Sequence, residues 1–159
     1  MKYSFVFSLL LLFTFGCRQT LPPSDINIPE GAGYNGQKSD MEKLTWLIGS
    51  WQTPDGLMQQ EIQLLNDSTL SIHSIFRNEN RDETVLMQWA GKQLRFGEDR
   101  IIAWIGRKSI RMESLKSEVA SLTWTRRDNT SWYMIVHHAD RPASQILLER
   151  VPKLGLINP

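Results

Sequence analysis

The feature that most constrains this chain is a rhythm that runs from residue 57 to residue 151 without a helical period. Short runs of alternating apolar and polar residues follow one another, each closed by a cluster of turn formers. Residues 57–64 put Met58, Ile62 and Leu64 on one face and Gln59, Glu61 and Gln63 on the other. After Asn66-Asp67-Ser68, residues 69–77 carry Leu70, Ile72 and Phe76 in phase, with Ile75 out of phase, which predicts a bulge. Residues 83–89 align Val85, Met87 and Trp89, and Gly91-Lys92 turns the chain into residues 93–96. Residues 100–105 are β-branched and aromatic, residues 109–114 align Ile110 with Met112, and residues 119–125 align Leu122 with Trp124. Residues 131–139 bring Trp132, Met134 and Val136 into register, and residues 145–151 form the last run, which Pro152 ends.

That pattern predicts eight to ten strands in an all-β, antiparallel fold, an up-and-down barrel in preference to a sandwich. A parallel sheet would need crossover helices, and no stretch is left to form them. Just upstream lies the most apolar part of the region, Leu44-Thr45-Trp46-Leu47-Ile48-Gly49-Ser50-Trp51. Ser39 or Asp40 would cap a short helical turn over residues 41–47, with Glu42 and Lys43 on its wet side, running into a first strand at Trp51. Six tryptophans favour a barrel or pocket wall over a plain helical core, because an indole buries a large area yet wants a partner for its N–H. The domain is expected over residues 41–152, with residues 153–159 as a tail.

The N-terminus reads as an address. Met1-Lys2 precedes an apolar run over residues 3–15, shorter than the ~20 residues of a membrane-spanning helix, so residues 1–16 are expected to be a signal peptide. The single cysteine, Cys17, follows at once and cannot form an internal disulfide. Residues 17–40 hold Pro22, Pro23, Pro29, Gly31, Gly33 and Gly36 among polar side chains and read as a flexible tether. Without Lys2 the basic and acidic residues balance, which gives no footprint for nucleic acid.

Thr14-Phe15-Gly16-Cys17 resembles the lipobox of bacterial lipoproteins, with Gly16 as the small residue before the cut; Thr14 and Phe15 depart from the commoner leucine and small residue. The resemblance implies a lipidated Cys17, a membrane partner through that lipid, and a place in the cell envelope. With no acidic residue directly after Cys17, it implies the outer membrane.

Trp46-Leu47-Ile48-Gly49-Ser50-Trp51 resembles the opening of lipocalins and the wider calycin barrels. More narrowly it is similar to uncharacterised bacterial domains that begin Trp-Leu-x-Gly-x-Trp. Glu61 and the Asn66–Leu70 segment stand where those domains carry a glutamate and a turn into a second hairpin. Their later Asn-Pro-x-His-Asp-Phe-Pro-like segment has no counterpart, since residues 122–128 read Leu-Thr-Trp-Thr-Arg-Arg-Asp. In calycins a basic side chain from the last strand covers the first-strand tryptophan, which implies that Arg150 closes the barrel over Trp51. An arginine stacked on an indole gains ~0.5–2 kcal/mol whatever the family.

Chemistry is sparsely represented. Adjacent His137 and His138 point to opposite faces of a strand, and His138 shares the phase of Trp132, Met134 and Val136. No HExxH, CxxC or carboxylate cluster suggests a metal, and neither nucleophile nor nucleotide-binding motifs occur. Glu61 and Glu83 could pair as acid and base only if both faced inward, and alternation puts Glu61 outside. Arg107, Lys108 and Arg111 form a basic cluster at a turn, read as a solvated loop. The expectation is therefore a non-enzymatic barrel without a cofactor, which binds a small apolar or amphipathic ligand. Its lining is expected to be Met58, Ile72, Met87, Trp89, Trp104, Trp124, Met134 and His138. The alternative is a filled barrel that contacts another envelope protein through its loops. An open cavity of at least ~300 Å³ would separate the two.

Overall fold

The computed structural model describes residues 36–90, 93–115, 121–138 and 140–152. Cys17, the expected signal peptide, the part of the expected tether before Gly36 and residues 153–159 lie outside the described residues. A 3-10 helix, Lys38–Leu47, leads into β1 (Gly49–Gln52), β2 (Met58–Asn66), β3 (Thr69–Phe76), β4 (Arg81–Ala90) and β5 (Gln93–Phe96). The second half is β6 (Arg100–Ile105), β7 (Ser109–Ser114), β8 (Ser121–Arg126), β9 (Ser131–His137) and β10 (Ser144–Val151). Each strand pairs antiparallel with the next, and β1 pairs with both β2 and β10, so the meander closes into a ten-stranded up-and-down barrel.

Closure removes sheet edges, and the period-2 pattern then decides which residues fill the interior. Apolar cross-strand pairs run round the inner face: Ile62 with Ile72, Leu70 with Met87, Met87 with Phe96, Met112 with Leu122, Trp124 with Met134, and Trp132 with Leu148. The β3 bulge predicted from Ile75 is not there. Ile75 pairs with Gln59 and Asp82 in unbroken register and simply belongs to the outer face. Irregularities fall instead between Leu64 and Asn66 in β2 and between Ile102 and Trp104 in β6. At the first of these, Leu64 pairs with Leu70 but is 47% exposed, so the apolar face of β2 ends at Ile62.

The helix begins at Lys38, earlier than the sequence suggested, with Gln37 as its cap. Asp40 acts from inside the first turn: its Oδ2 accepts the Gln37 backbone N–H at 2.8 Å, and Lys43 Nζ lies 2.6 Å from its Oδ1. Leu44 and Leu47 are fully buried, and Met41 and Trp46 are buried with them. The helix thus plugs the end of the barrel at which β1 begins. Trp132 fills the middle of that half, edge-on to Trp46 at 6.3 Å and to Trp51 at 6.1 Å, and tilted against Trp124 at 5.1 Å. Aromatic pairs at such separations prefer these angled arrangements.

Candidate ligand cavity at the open end of the barrel

The antiparallel meander sends alternate connections to opposite ends. The helix and the β2–β3, β6–β7 and β8–β9 turns gather at the plugged end; the β1–β2, β3–β4, β5–β6 and β9–β10 turns ring the other. At this second end a cavity of about 410 Å³ opens. Its apolar wall comes from inward-facing positions: Met58 of β2, Ile72 and Phe76 of β3, Val85 of β4, Phe96 of β5, Leu122 and Trp124 of β8, and Met134 of β9. The volume falls within the ~300–1,000 Å³ range of small-molecule sites.

Two polar atoms of wall residues lack partners and are shut off from the cavity space, as are the indole N–H groups of Trp46, Trp89 and Trp132 in the other half. Gln60, 4% exposed, donates from Nε2 to Ser74 Oγ at 3.0 Å, while its Oε1 accepts nothing among the described residues. Trp124, 1% exposed, packs on Phe96 with ring centres 5.4 Å apart, and its indole N–H is likewise unpartnered. A buried donor or acceptor left in this state costs ~1–3 kcal/mol unless water or a ligand completes it.

The rim is ionic. Glu83, Glu98, Asp99 and Arg100 line it. Arg81 joins Glu79 to Glu83 at 2.9 and 2.7 Å, and its guanidinium lies 4.0 Å from the centre of the Phe76 ring. Partial burial pulls the Arg100 pKa down, and the charges of Asp99 and Glu83 oppose that pull. The guanidinium remains a cation throughout.

Of the residues expected to line a ligand site, Met58, Ile72, Trp124 and Met134 are brought together on this wall. Met87 and Trp89 follow Val85 on the inner face of β4 but lie deeper, toward the plugged end. Met87 is fully buried between Leu70 and Phe96, and Trp89 sits opposite Leu94 with its indole N–H unpartnered. Trp104 is on the outside of the barrel. The irregularity after Ile102 shifts the phase by one residue, so Trp104 pairs with outward-facing Arg111 while Ile105 takes the inner face with Ile110. The indole lies across Gly106, where an added Cβ would come within 2.2 Å of it.

His138 is not inside the barrel either. β9 ends at His137, and His138 sits beyond it beside Arg141 and Ser144, 3.4 and 3.5 Å from each. His137 faces outward onto Thr123 Oγ1 at 3.0 Å; burial lowers its pKa, and nearby Arg111 adds to the effect. His73 is also outside, 2.6 Å from Asp82.

Glu61 and Glu83 lie on opposite sides of the wall. Glu61 faces outward with His73, yet is 9% exposed and accepts from Gln63 Nε2 at 2.8 Å. Arg111 pairs with Glu113 on β7, apart from Arg107 and Lys108 in the preceding turn. Among the described residues no three of His, Cys, Asp and Glu converge as a metal site would require, and no helix is long and apolar enough to cross a membrane.

Sequence reasoning missed Gln60, Ser74, Phe96, Leu122 and Arg100. Gln60 shares the phase of Met58 and Ile62, so its place was readable; its polarity disguised it.

At the plugged end the structure brings Trp51 and Arg150 together. They are cross-strand partners, the guanidinium carbon lies 4.3 Å from the indole centre, and Arg150 donates to the Ile48 carbonyl at 3.2 Å. Trp51 Nε1 donates to the Leu47 carbonyl at 2.6 Å. Gly49 makes room for this contact: its φ is +136°, and a Cβ there would lie 2.5 Å from the Arg150 guanidinium.

Comparison with protein-family models, with curated proteins and with solved structures finds no match to the chain. Fold and cavity together define a closed up-and-down β-barrel, plugged at one end and open at the other.

Proposed function

We propose that this protein is a lipid-anchored, non-enzymatic protein of the bacterial cell envelope whose barrel binds one small amphipathic ligand in its open half. The observation that carries the reading is the cavity itself: about 410 Å³, walled by Met58, Ile72, Phe76, Trp124 and Met134 and open to water at one end of the barrel. An interior packed only for stability would fill that space.

The anchor rests on the sequence at residues 1–17. The described chain enters the fold at the plugged end, so a tether from Cys17 would present that end to the bilayer, in the outer membrane on the lipobox pattern, and leave the mouth facing water. The alternative of a filled barrel acting only through loop contacts with an envelope protein draws its support from the plugged half alone.

The test is titration with an uncharged environment-sensitive dye, N-phenyl-1-naphthylamine, on wild type and on Met134→Trp, which places an indole in the cavity. Saturable binding at one site, lost in the variant, supports the reading. No saturable binding by the wild type contradicts it.

A further inference from the structure

We infer that the plugged end of the barrel is a docking surface for a bilayer that carries anionic phospholipid, with two basic turns at its centre. The inference goes beyond ligand binding and rests on the anchored reading above only for the bilayer it names.

Its first ground is a juxtaposition that closure of the barrel creates. Arg107 and Lys108 lie in the β6–β7 turn, and Arg126 and Arg127 stand where β8 ends. The two turns touch, because the Arg126 backbone N–H donates to the Lys108 carbonyl at 2.6 Å. Four cations from two separate stretches of sequence thus meet. Arg107, Lys108 and Arg127 are exposed, and neither Arg107 nor Lys108 has an ion pair among the described residues. The Arg126 guanidinium bonds to neutral oxygens, the Asp128 carbonyl and the Asn129 side-chain amide. The acids beside them are Asp128, 3.9 Å from Arg127 and already taken by Thr130 and Ser131, and Glu149, opposite Ser131 on β10. The cations outnumber them, and such an excess is drawn to anionic headgroups.

The second ground is what flanks those turns. Trp104, partly exposed on the outside of β6, lies across Gly106 beside the first turn. The Tyr133 ring of β9 lies beneath Arg127, 6.0 Å from the guanidinium carbon. Tryptophan and tyrosine side chains, apolar in body and polar at the tip, favour the headgroup level of a bilayer. Near the same end of the barrel, Leu64 and Leu65 of β2 are exposed.

The third ground is the polarity of the whole body. Glu79, Asp82, Glu83, Glu98 and Asp99 stand at the open end and outnumber the arginines beside them. A chain of net charge +1 is therefore folded into a barrel with a basic end and an acidic one. The described chain enters at the basic end. An anionic surface attracts that end and repels the mouth.

Hydrogen exchange of the full chain in phosphatidylcholine nanodiscs, with and without phosphatidylglycerol, tests this. Phosphatidylglycerol should slow exchange several-fold over residues 106–108 and 127–130 and leave residues 53–57 and 77–80, at the open end, unchanged. The protection should vanish in high salt. It should vanish also in the double variant Arg107→Glu, Lys108→Glu, whose side chains are exposed and unbonded among the described residues. Equal exchange with and without phosphatidylglycerol, or protection at the open end instead, would overturn the inference and leave the ligand-binding reading standing. Protection by a short DNA duplex with none by phosphatidylglycerol would also overturn it, and assign the turns to nucleic acid. A chain that phosphatidylcholine discs fail to retain would count against the lipid anchor, and exchange with phosphatidylglycerol would still decide the docking surface.

Discussion

Arg150, next to the last residue of β10, covers the indole of Trp51 in β1, with 4.3 Å between the guanidinium carbon and the ring centre. The same side chain donates to the carbonyl of Ile48, where the helix has ended and the strand has yet to begin. First and last strands are thus joined by the ladder and by one side chain that seals the plugged end. Arg150→Leu keeps much of the apolar cover but loses the cation–π contact and the bond to Ile48, together about 1–2 kcal/mol. Among the described residues the Arg126 side chain bonds only to the Asp128 carbonyl and Asn129 Oδ1 in its own turn. Thermal melts should show a clearly larger fall for Arg150→Leu than for Arg126→Leu; equal falls would count against a sealing role.

Gly49 extends that argument to the backbone. A side chain there meets a φ of +136° and displaces Arg150, so Gly49→Ala combines strain, about 1–3 kcal/mol, with loss of the seal. The two parts separate in a double-mutant cycle. With Arg150→Leu already present, Gly49→Ala should cost less than in wild type and still cost something. Strict additivity of the two melts would mean that Arg150 and Gly49 act apart.

Asp128 gives a pH dependence. Its carboxylate accepts the Thr130 backbone N–H at 2.7 Å and the hydroxyls of Thr130 and Ser131 at 2.8 and 2.9 Å, which hold its pKa down to about 2 from an ordinary 3.8. A depressed folded-state pKa stabilises the fold above 3.8, and that contribution is lost as pH falls from 3.8 through about 2. The melting-temperature gap between wild type and Asp128→Asn should be widest near pH 6 and close below pH 2. A gap that does not change with pH would show that ionisation of Asp128 is irrelevant to stability.

The boundary of the cavity can be mapped by overpacking. Met134 faces the empty volume, whereas Met87 is fully buried in the filled half. Met134→Trp should leave the melting temperature close to wild type, while Met87→Trp should cost about 1–3 kcal/mol. Similar losses from both would mean that the volume beside Met134 does not accept a side chain.

Lipid attachment is tested on the whole chain by growth with labelled palmitate in a bacterial host. Label should appear on wild type and be absent from Cys17→Ala. An unlabelled wild type, or equal label on both, would remove the anchor from the account.

The barrel was legible in the sequence because each strand has a polar and an apolar side and each turn is short; the period-2 pattern and the absence of a helical period after residue 57 left few other folds. The cavity was half legible. Phase placed Met58, Ile72, Trp124 and Met134 on the inner face, but phase says nothing of depth, so Met87 and Trp89 were grouped with them although the tryptophan-filled half claims both. Trp104 was misplaced because one irregularity at Ile102 inverts every later position of its strand, and no residue there advertises it. His138 carried the correct parity one residue after the strand had ended. The ionic rim was hidden because Glu98, Asp99 and Arg100 read as an ordinary turn, and only closure of the barrel sets them over an apolar wall.

Native mass spectrometry of the protein purified from the cells that make it tests the central claim most directly. The account predicts a folded species heavier than the chain by one small organic molecule, released on activation and missing when Met134→Trp is purified in the same way. A wild-type protein that flies at the bare mass of its chain and lipid, and stays at that mass when incubated with N-phenyl-1-naphthylamine, would contradict it.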